Sequence, residues 1–332
     1  MAKTPDLHSP SSIFYLRPVL IAGPTAVGKS RIALQLAERL GGEIISADSM
    51  QVYRGLDIGT AKPPAADRAR VPHHLIDICD LTESFDAAQF ARLAHRAVAG
   101  IQSRGHVPIL CGGTGLYFKA FLEGLGEAPA ADAKLRAALE ATSLAKLLEE
   151  LRERDPATLE KIDRKNPRRV IRAVEVIRLT GKPFSEQRGE WNVLPASSPE
   201  GQKSDVPAGC RNPILCLTRQ SDDLRRRIDA RVDEMFRRGL VEETRELLKR
   251  GLEQNKTAMQ AIGYRQVVEH LRGERNLAET IELVKVRTRQ FAKRQLTWFR
   301  AKKNLEWIQL KPDEPLETAV EHLFRCLHAD SG

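Results

Sequence analysis

The chain has 332 residues, 42% hydrophobic and 29% charged, a globular composition that excludes disordered, collagenous and fibrous classes. No run of about 18 apolar residues occurs, which excludes a helical membrane span. Lys and Arg total 53 against 44 Asp and Glu, net +9, and the excess lies late: residues 1–128 carry net +1 and the remainder net +8, which suits an anionic polymer such as nucleic acid or a merely solvated helical surface.

Residues 1–16 are polar, lack the apolar core of a secretory signal and read as a flexible leader. Pro18–Ala22 (PVLIA) is a short buried strand. A helix follows, because Ile32, Leu36 and Leu40 recur at helical spacing. Glu43–Ala47 predicts a second strand, His74–Ile78 a third, and Val107–Cys111 a fourth. Between the last two, Phe85–Ile101 has helical periodicity. Alternating strands and helices predict a parallel, doubly wound sheet. Residues 129–192 read as almost wholly helical and polar. Pro195–Pro213 has no apolar period and is rich in Pro, Ser and Gly, which predicts an exposed linker. Strand character returns at Ile214–Thr218, helices at Asp222–Leu252 and Ile281–Phe299, and a last strand at Leu305–Leu310. The length allows roughly two domains. The expected division is a core of residues 17–128 and 209–332, interrupted by a helical insert with linker at 129–208. The five cysteines (Cys79, Cys111, Cys210, Cys216 and Cys326) are odd in number and form no CxxC pair. That argues against a zinc or disulfide framework and for a reducing cytoplasm.

Gly23-Pro24-Thr25-Ala26-Val27-Gly28-Lys29-Ser30 matches G-x-x-x-x-G-K-[ST], between a predicted strand and a predicted helix. The glycines let backbone N–H groups face an anion, and the helix N-terminus adds its positive end. Lys29 supplies a point charge and Ser30 a hydroxyl for a phosphate-bound Mg²⁺. A plain glycine turn would explain Gly23 and Gly28 but not Lys29-Ser30. The fold class is therefore α/β, a P-loop NTPase-like parallel sheet core with a helical inserted domain. The loop names a diphosphate or triphosphate ligand, ATP included, and not the reaction. A magnesium-binding Asp at a strand end would favour an ATPase, and Leu75-Ile76-Asp77 is the one rough match. Asp48 and Thr114 each lie just beyond a predicted strand, at the carboxyl edge where α/β sheets bind ligands. There Asp48 could be a general base, a magnesium ligand or a cap for the next helix, and GGT at 112–114 a plain tight turn.

Further motifs follow in order: Ile45-Ser-Ala-Asp48-Ser49-Met50-Gln51-Val52-Tyr53, Asp57-Ile-Gly-Thr-Ala-Lys-Pro63, His73-His74-Leu-Ile-Asp77, Gly112-Gly-Thr-Gly-Leu-Tyr117, Asn166-Pro-Arg-Arg-Val-Ile-Arg172, Ala261-Ile-Gly-Tyr-Arg265 and Lys293-Arg-Gln-Leu-Thr-Trp-Phe-Arg300. Together they resemble the tRNA dimethylallyltransferases, or tRNA isopentenyltransferases, from residue 19 to 300. The resemblance implies transfer of a dimethylallyl group from dimethylallyl diphosphate to N6 of adenosine 37, in tRNAs that read codons beginning with U. It implies that the P-loop holds the leaving diphosphate with Mg²⁺, that Asp48 is the base, that Thr114 hydrogen-bonds near the reacting groups, and that Arg231 reaches the diphosphate. It further implies tRNA contacts at Asp48, Ser49, Met50, Gln51, Thr114, Arg136, Arg168, Arg169, Val170, Ile171, Arg172, Gln260, Ala261, Ile262, Gly263, Tyr264 and Arg265. The insert would clasp the anticodon stem-loop, and the chain would act as a cytoplasmic monomer.

Two plainer readings stand beside these. The basic run Lys285–Lys303 interleaves Phe291, Trp298 and Phe299, whose spacing fits a core stripe, with basic residues left for solvent or tRNA phosphates. His73 and His74 lack a Cys or carboxylate pattern of metal-ligand type and read as structural or as part of a ligand loop. The competing functions are a small-molecule or nucleoside kinase, which leaves the basic second half unexplained, and a non-catalytic RNA-binding module, which needs no intact Lys29-Ser30.

Overall fold

The structure, a computed structural model, describes residues 17–125, 129, 132–187, 214–303 and 305–329. The expected leader and linker lie outside these residues. The elements in chain order are β1 (Val19–Ala22), α1 (Lys29–Leu40), β2 (Gly42–Ala47), α2 (Ala65–Arg70), β3 (His73–His74), α3 (Ala87–Ser103), β4 (Val107–Gly112) and α4 (Gly115–Glu123). Then come α5 (Ala133–Glu140), α6 (Leu144–Arg154), α7 (Pro156–Lys161), α8 (Pro167–Thr180), β5 (Ile214–Arg219), α9 (Ser221–Arg237), α10 (Leu240–Lys249), α11 (Tyr264–Leu271), α12 (Leu277–Arg300), β6 (Leu305–Leu310) and α13 (Leu316–Ala329).

All six strands form one parallel sheet, in the order β3-β2-β4-β1-β5-β6. A parallel sheet covered on both faces needs continuous apolar runs, and every residue of β1, β2 and β4 is buried. Alternation along the strands divides their side chains between the two faces. Val19, Ile21, Ile44, Val107, Ile109, Leu215 and Leu217 meet Ile32 and Leu36 of α1 and Leu323 and Leu327 of α13 in one core.

Two helices begin with reciprocal capping boxes. Asp86 caps α3 by accepting from the Gln89 N–H at 2.8 Å, and the Gln89 side chain accepts in return from the Asp86 N–H. Asn276 and Glu279 form the same box at the start of α12.

Two expectations require correction. The strand expected at His74–Ile78 is only His73–His74, because Leu75 and Asp77 adopt φ of 62° and 57°, in the left-handed region that ends a strand. The helix expected over Asp222–Leu252 is two helices, α9 and α10, separated at Gly239 with φ 95°.

The chain divides into two compact units, Met1–Phe121 with Ser204–Gly332, and Leu122–Lys203. The smaller unit has its own core, in which Leu139, Leu147, Leu151, Val170, Ala173, Val174 and Ile177 of α5, α6 and α8 are buried together. Its described regular elements are helices, in line with the polar periodic sequence, and Asp132, Ser143, Asp155 and Asn166 cap four of them in succession.

Candidate active site

The loop Gly23–Gly28 joins the end of β1 to the start of α1, so its N–H groups and the positive end of α1 face one space. Gly28 turns the chain into the helix with φ 107°, a conformation that L side chains rarely adopt. Arg219, at the end of β5, braces the loop from outside. Its Nε donates to the Val27 carbonyl at 2.9 Å, while its Nη1 pairs with Asp223. Lys29 Nζ donates to the Pro24 carbonyl at 3.0 Å, which folds the ammonium back over the loop.

Strands β2 and β4 lie side by side with Ala47 opposite Gly112, so Asp48 and Thr114 leave the sheet as neighbours. The Ser49 N–H donates to Thr114 Oγ1 at 3.2 Å, and the Thr114 N–H donates to the Ala47 carbonyl at 3.2 Å. Asp48 Oδ1 accepts from the Met50 N–H at 2.9 Å, closing a local turn. Asp48 is therefore no helix cap, since α2 starts only at Ala65. Gln51 joins two segments: its Oε1 accepts from Ser46 Oγ at 2.9 Å and its Nε2 donates to the Thr60 carbonyl at 3.2 Å.

These groups share a cavity of about 400 Å³ within the larger unit, lined by Lys29, Ser30, Asp48, Thr114 and Arg231 among others. Arg231 enters from α9, and its Nη2 lies 3.5 Å from the Thr60 carbonyl. Burial draws the pKa of both Lys29 and Arg231 down. Each also feels the opposing charge of Asp48, and Arg231 further lowers Lys29. Among the described residues, neither cation is in an ion pair. Two desolvated cations beside the N–H groups of this loop make the cavity electrostatically suited to a polyanion. Burial pushes the thiols of Cys111 and Cys216 up to about 11 and about 12, so neither is a thiolate nucleophile at neutral pH.

The cavity also takes apolar side chains: Val232 and Met235 of α9, Ile262, and Val284 and Phe291 of α12. Phe291 thus departs from the core stripe expected of it. It is 36% exposed and faces the cavity, while Trp298 is half-buried and Phe299 fully buried. Periodicity identifies a common face and does not say whether protein or ligand covers it. Asp77, the rough match to a magnesium-binding aspartate, is instead held by Lys62 and Arg68. Sequence reasoning missed Gln295, Thr60 and Met235 as cavity residues. It also missed Lys62, whose buried ammonium meets Asp57, Asp77 and the Tyr53 carbonyl. Only the DIGTAKP motif carried a signal for that last group.

The remaining candidate positions divide by unit. In the larger unit, Ser49, Met50, Gln51, Gln260, Ala261 and Ile262 line the cavity. Tyr264 is fully buried, its hydroxyl donating to Glu243 at 2.5 Å and accepting from the Gly59 N–H at 3.0 Å. Gly263 starts α11, and Arg265 is exposed and pairs with Glu269. In the smaller unit, Arg136 and Arg172 both pair with Glu175, which is fully buried. Arg168 and Arg169 are exposed on the first turn of α8, Ile171 is partly buried, and Val170 is a core residue. His74 pairs with Glu43, and His73 Nδ1 lies 2.8 Å from the Val71 carbonyl, both structural contacts.

Comparison with known proteins gives a consistent set of relatives. A family model described as IPP transferase matches residues 51–302. A tRNA dimethylallyltransferase of Geobacter metallireducens is 46% identical over 310 residues, spanning 92% of this chain and 96% of its own. The crystal structure of the full-length tRNA isopentenylpyrophosphate transferase of Bacillus halodurans is 40% identical, covering 95% of this chain and 98% of its own with a TM-score of 0.66. A eukaryotic dimethylallyltransferase, solved in crystallographic snapshots acting on tRNA, is 30% identical with a TM-score of 0.74. That match covers 92% of this chain and 77% of the other.

Proposed function

The chain belongs to the IPP transferase family, and from that premise we propose that it transfers a dimethylallyl group from dimethylallyl diphosphate to N6 of adenosine 37 in tRNAs that read codons beginning with U. The observation that carries this reading is one cavity shared by a phosphate loop, two buried cations, a carboxylate and an apolar wall.

Each part has a task in such a reaction. The diphosphate would lie on the loop N–H groups, Lys29 and Arg231, and the apolar wall would take the five-carbon chain. The allylic C1–O bond breaks and the diphosphate leaves with the bonding pair. Charge then grows on the oxygens that the loop and the two cations already face. The adenine N6 forms the new bond to C1 and sheds a proton. Its lone pair is delocalised into the ring, so a base on that proton is needed, and Asp48 is the carboxylate at the cavity wall. Thr114 Oγ1 accepts from the Ser49 N–H, which leaves its own hydrogen for a ligand oxygen. The target base must be extruded from the anticodon loop to reach such a site, and a single-stranded loop base is cheap to unstack.

The donor set also fits Mg²⁺ carried by the substrate. Among the described residues, no three His, Cys, Asp or Glu side chains gather as a metal site. Ser30 lines the cavity on the first turn of α1. Mg²⁺ dehydrates reluctantly and commonly binds through substrate phosphates, here with the Ser30 hydroxyl. When bound, it would neutralise charge on the diphosphate.

The late-chain positive charge would contact tRNA phosphates. The chain would act as a monomer in the cytoplasm, and no described helix is long and apolar enough to cross a membrane. Incubation with Mg²⁺, dimethylallyl diphosphate and unmodified tRNA should yield N6-(dimethylallyl)adenosine on digestion. Unmodified RNA, together with phosphate transfer from ATP to a small acceptor, would contradict the reading.

A further inference from the structure

Gln295 lies on the core-facing side of α12, at helical spacing from Ala292 and Phe299, which are 2% and 0% exposed. Gln295 is itself 8% exposed. A carboxamide at such a position is costly unless both its ends are hydrogen-bonded. Both are. Its Oε1 accepts from the Thr25 N–H at 2.9 Å, and its Nε2 donates to the Gly113 carbonyl at 2.9 Å. Thr25 is in the phosphate loop, and Gly113 immediately precedes Thr114. One amide therefore ties together two neighbouring loops that leave the paired strands β1 and β4 and line the cavity. The glycine at 113 belongs to the same arrangement. A Cβ there would come within 2.2 Å of Gln295 Nε2, so any side chain would displace the amide.

We propose that Gln295 is a positioning residue for the transfer reaction, fixing the distance between the phosphate loop and the Thr114 loop. The inference rests on the transferase reading above. A displacement transfer requires the leaving oxygen and the incoming nitrogen to be held in register about C1. Misplacement by about 1 Å can cost on the order of 100-fold in rate. The phosphate loop would hold one partner, and Asp48 and Thr114 the other. Neither loop needs Gln295 to bind its own ligand, but the reaction needs both at a fixed separation. The signature is thus a loss in kcat with each KM preserved.

Two variants test this. Gln295→Met keeps the volume and removes both hydrogen bonds. Gln295→Glu keeps an acceptor for the Thr25 N–H and loses the donor to Gly113. Both should retain the wild-type unfolding temperature to within a few degrees. Both should lower kcat by at least tenfold, with KM for dimethylallyl diphosphate and for tRNA within about threefold of wild type. Unchanged kcat, or a raised donor KM with kcat intact, would overturn the proposal. Amide hydrogen exchange tests the staple apart from any transfer. The Thr25 amide should exchange faster in Gln295→Met than in wild type, and equal exchange would overturn the proposal. A wild-type protein that transfers nothing to tRNA would refute the transferase reading instead, and the exchange result would still decide whether Gln295 ties the loops.

Discussion

The Ser49 backbone N–H donates to Thr114 Oγ1 at 3.2 Å, across 65 positions of sequence. The bond exists because β2 and β4 are adjacent and parallel, so the residues leaving their carboxyl ends meet. It holds the threonine hydroxyl beside Asp48 at the cavity wall. Thr114→Val preserves the shape and removes the acceptor. One neutral hydrogen bond is worth about 1 kcal/mol, so transfer should slow by roughly fivefold from this contact alone. Thr114→Ser should retain most of the activity. Equal kcat for the valine and serine variants would show that the hydroxyl is idle.

Lys29 carries a charge that burial disfavours in the free protein. Its folded pKa is depressed below the unfolded value. The charged form therefore destabilises the fold at neutral pH, a penalty that shrinks as pH rises toward the lysine's own range. Lys29→Met should accordingly raise the unfolding temperature of the ligand-free protein while abolishing transfer. Pyrophosphate with Mg²⁺ should stabilise wild type and leave the variant unmoved. A variant less stable than wild type without ligand would contradict this.

Far from the cavity, at the opposite edge of the sheet, the buried Glu43 carboxylate receives His74 at 2.6 Å, and Arg104 and His106 each at 2.7 Å. Burial opposes its charge, but these three partners prevail and hold its pKa down to about 2. The folded value lies below the unfolded one, so this stabilisation is complete above the ordinary glutamate range. It is lost as pH falls from there toward 2. The shift is worth roughly 3 kcal/mol. Glu43→Gln should lose about that much stability near neutrality, and its stability should fall less steeply than that of wild type over the acid window. Parallel acid-unfolding curves for the two proteins would refute the assignment.

Affinity for tRNA should fall steeply with salt if the late positive charge meets phosphates, because each neutralised phosphate releases counterions. Arg169 is exposed on α8. Arg169→Gln should reduce the slope of log affinity against log salt by about 1 and leave the unfolding temperature unchanged. A flat salt response in wild type would remove the electrostatic surface from the account.

Local patterns in the sequence carried much of this architecture. Ile32, Leu36 and Leu40 marked α1, short apolar runs marked β1 and β4, and the phosphate loop lay between two legible elements. Expectation failed where backbone conformation overrode composition. His74–Ile78 has strand-forming residues, yet positive φ at Leu75 and Asp77 bends it away. Gly239 interrupts an otherwise continuous amphipathic run. Phe291 repeats in phase with the core but faces the cavity, a distinction that spacing cannot encode. Gln295 was illegible for another reason. Its partner Thr25 lies 270 positions away, and a glutamine in a basic helix gives no hint of two distant loops. Glu243 likewise acquires its role from Tyr264 and the Ile58 N–H only after folding.

The most direct measurement is transfer of radiolabel from dimethylallyl diphosphate to unmodified tRNA bearing A36-A37-A38, with Mg²⁺, for wild type and Asp48→Asn. Wild type should label the RNA, and replacement of A37 by G should abolish the label. Asp48→Asn should bind tRNA normally and transfer at least about 100-fold more slowly, the usual scale for loss of a general base. Label that persists with G at position 37, or undiminished turnover by Asp48→Asn, would contradict the account.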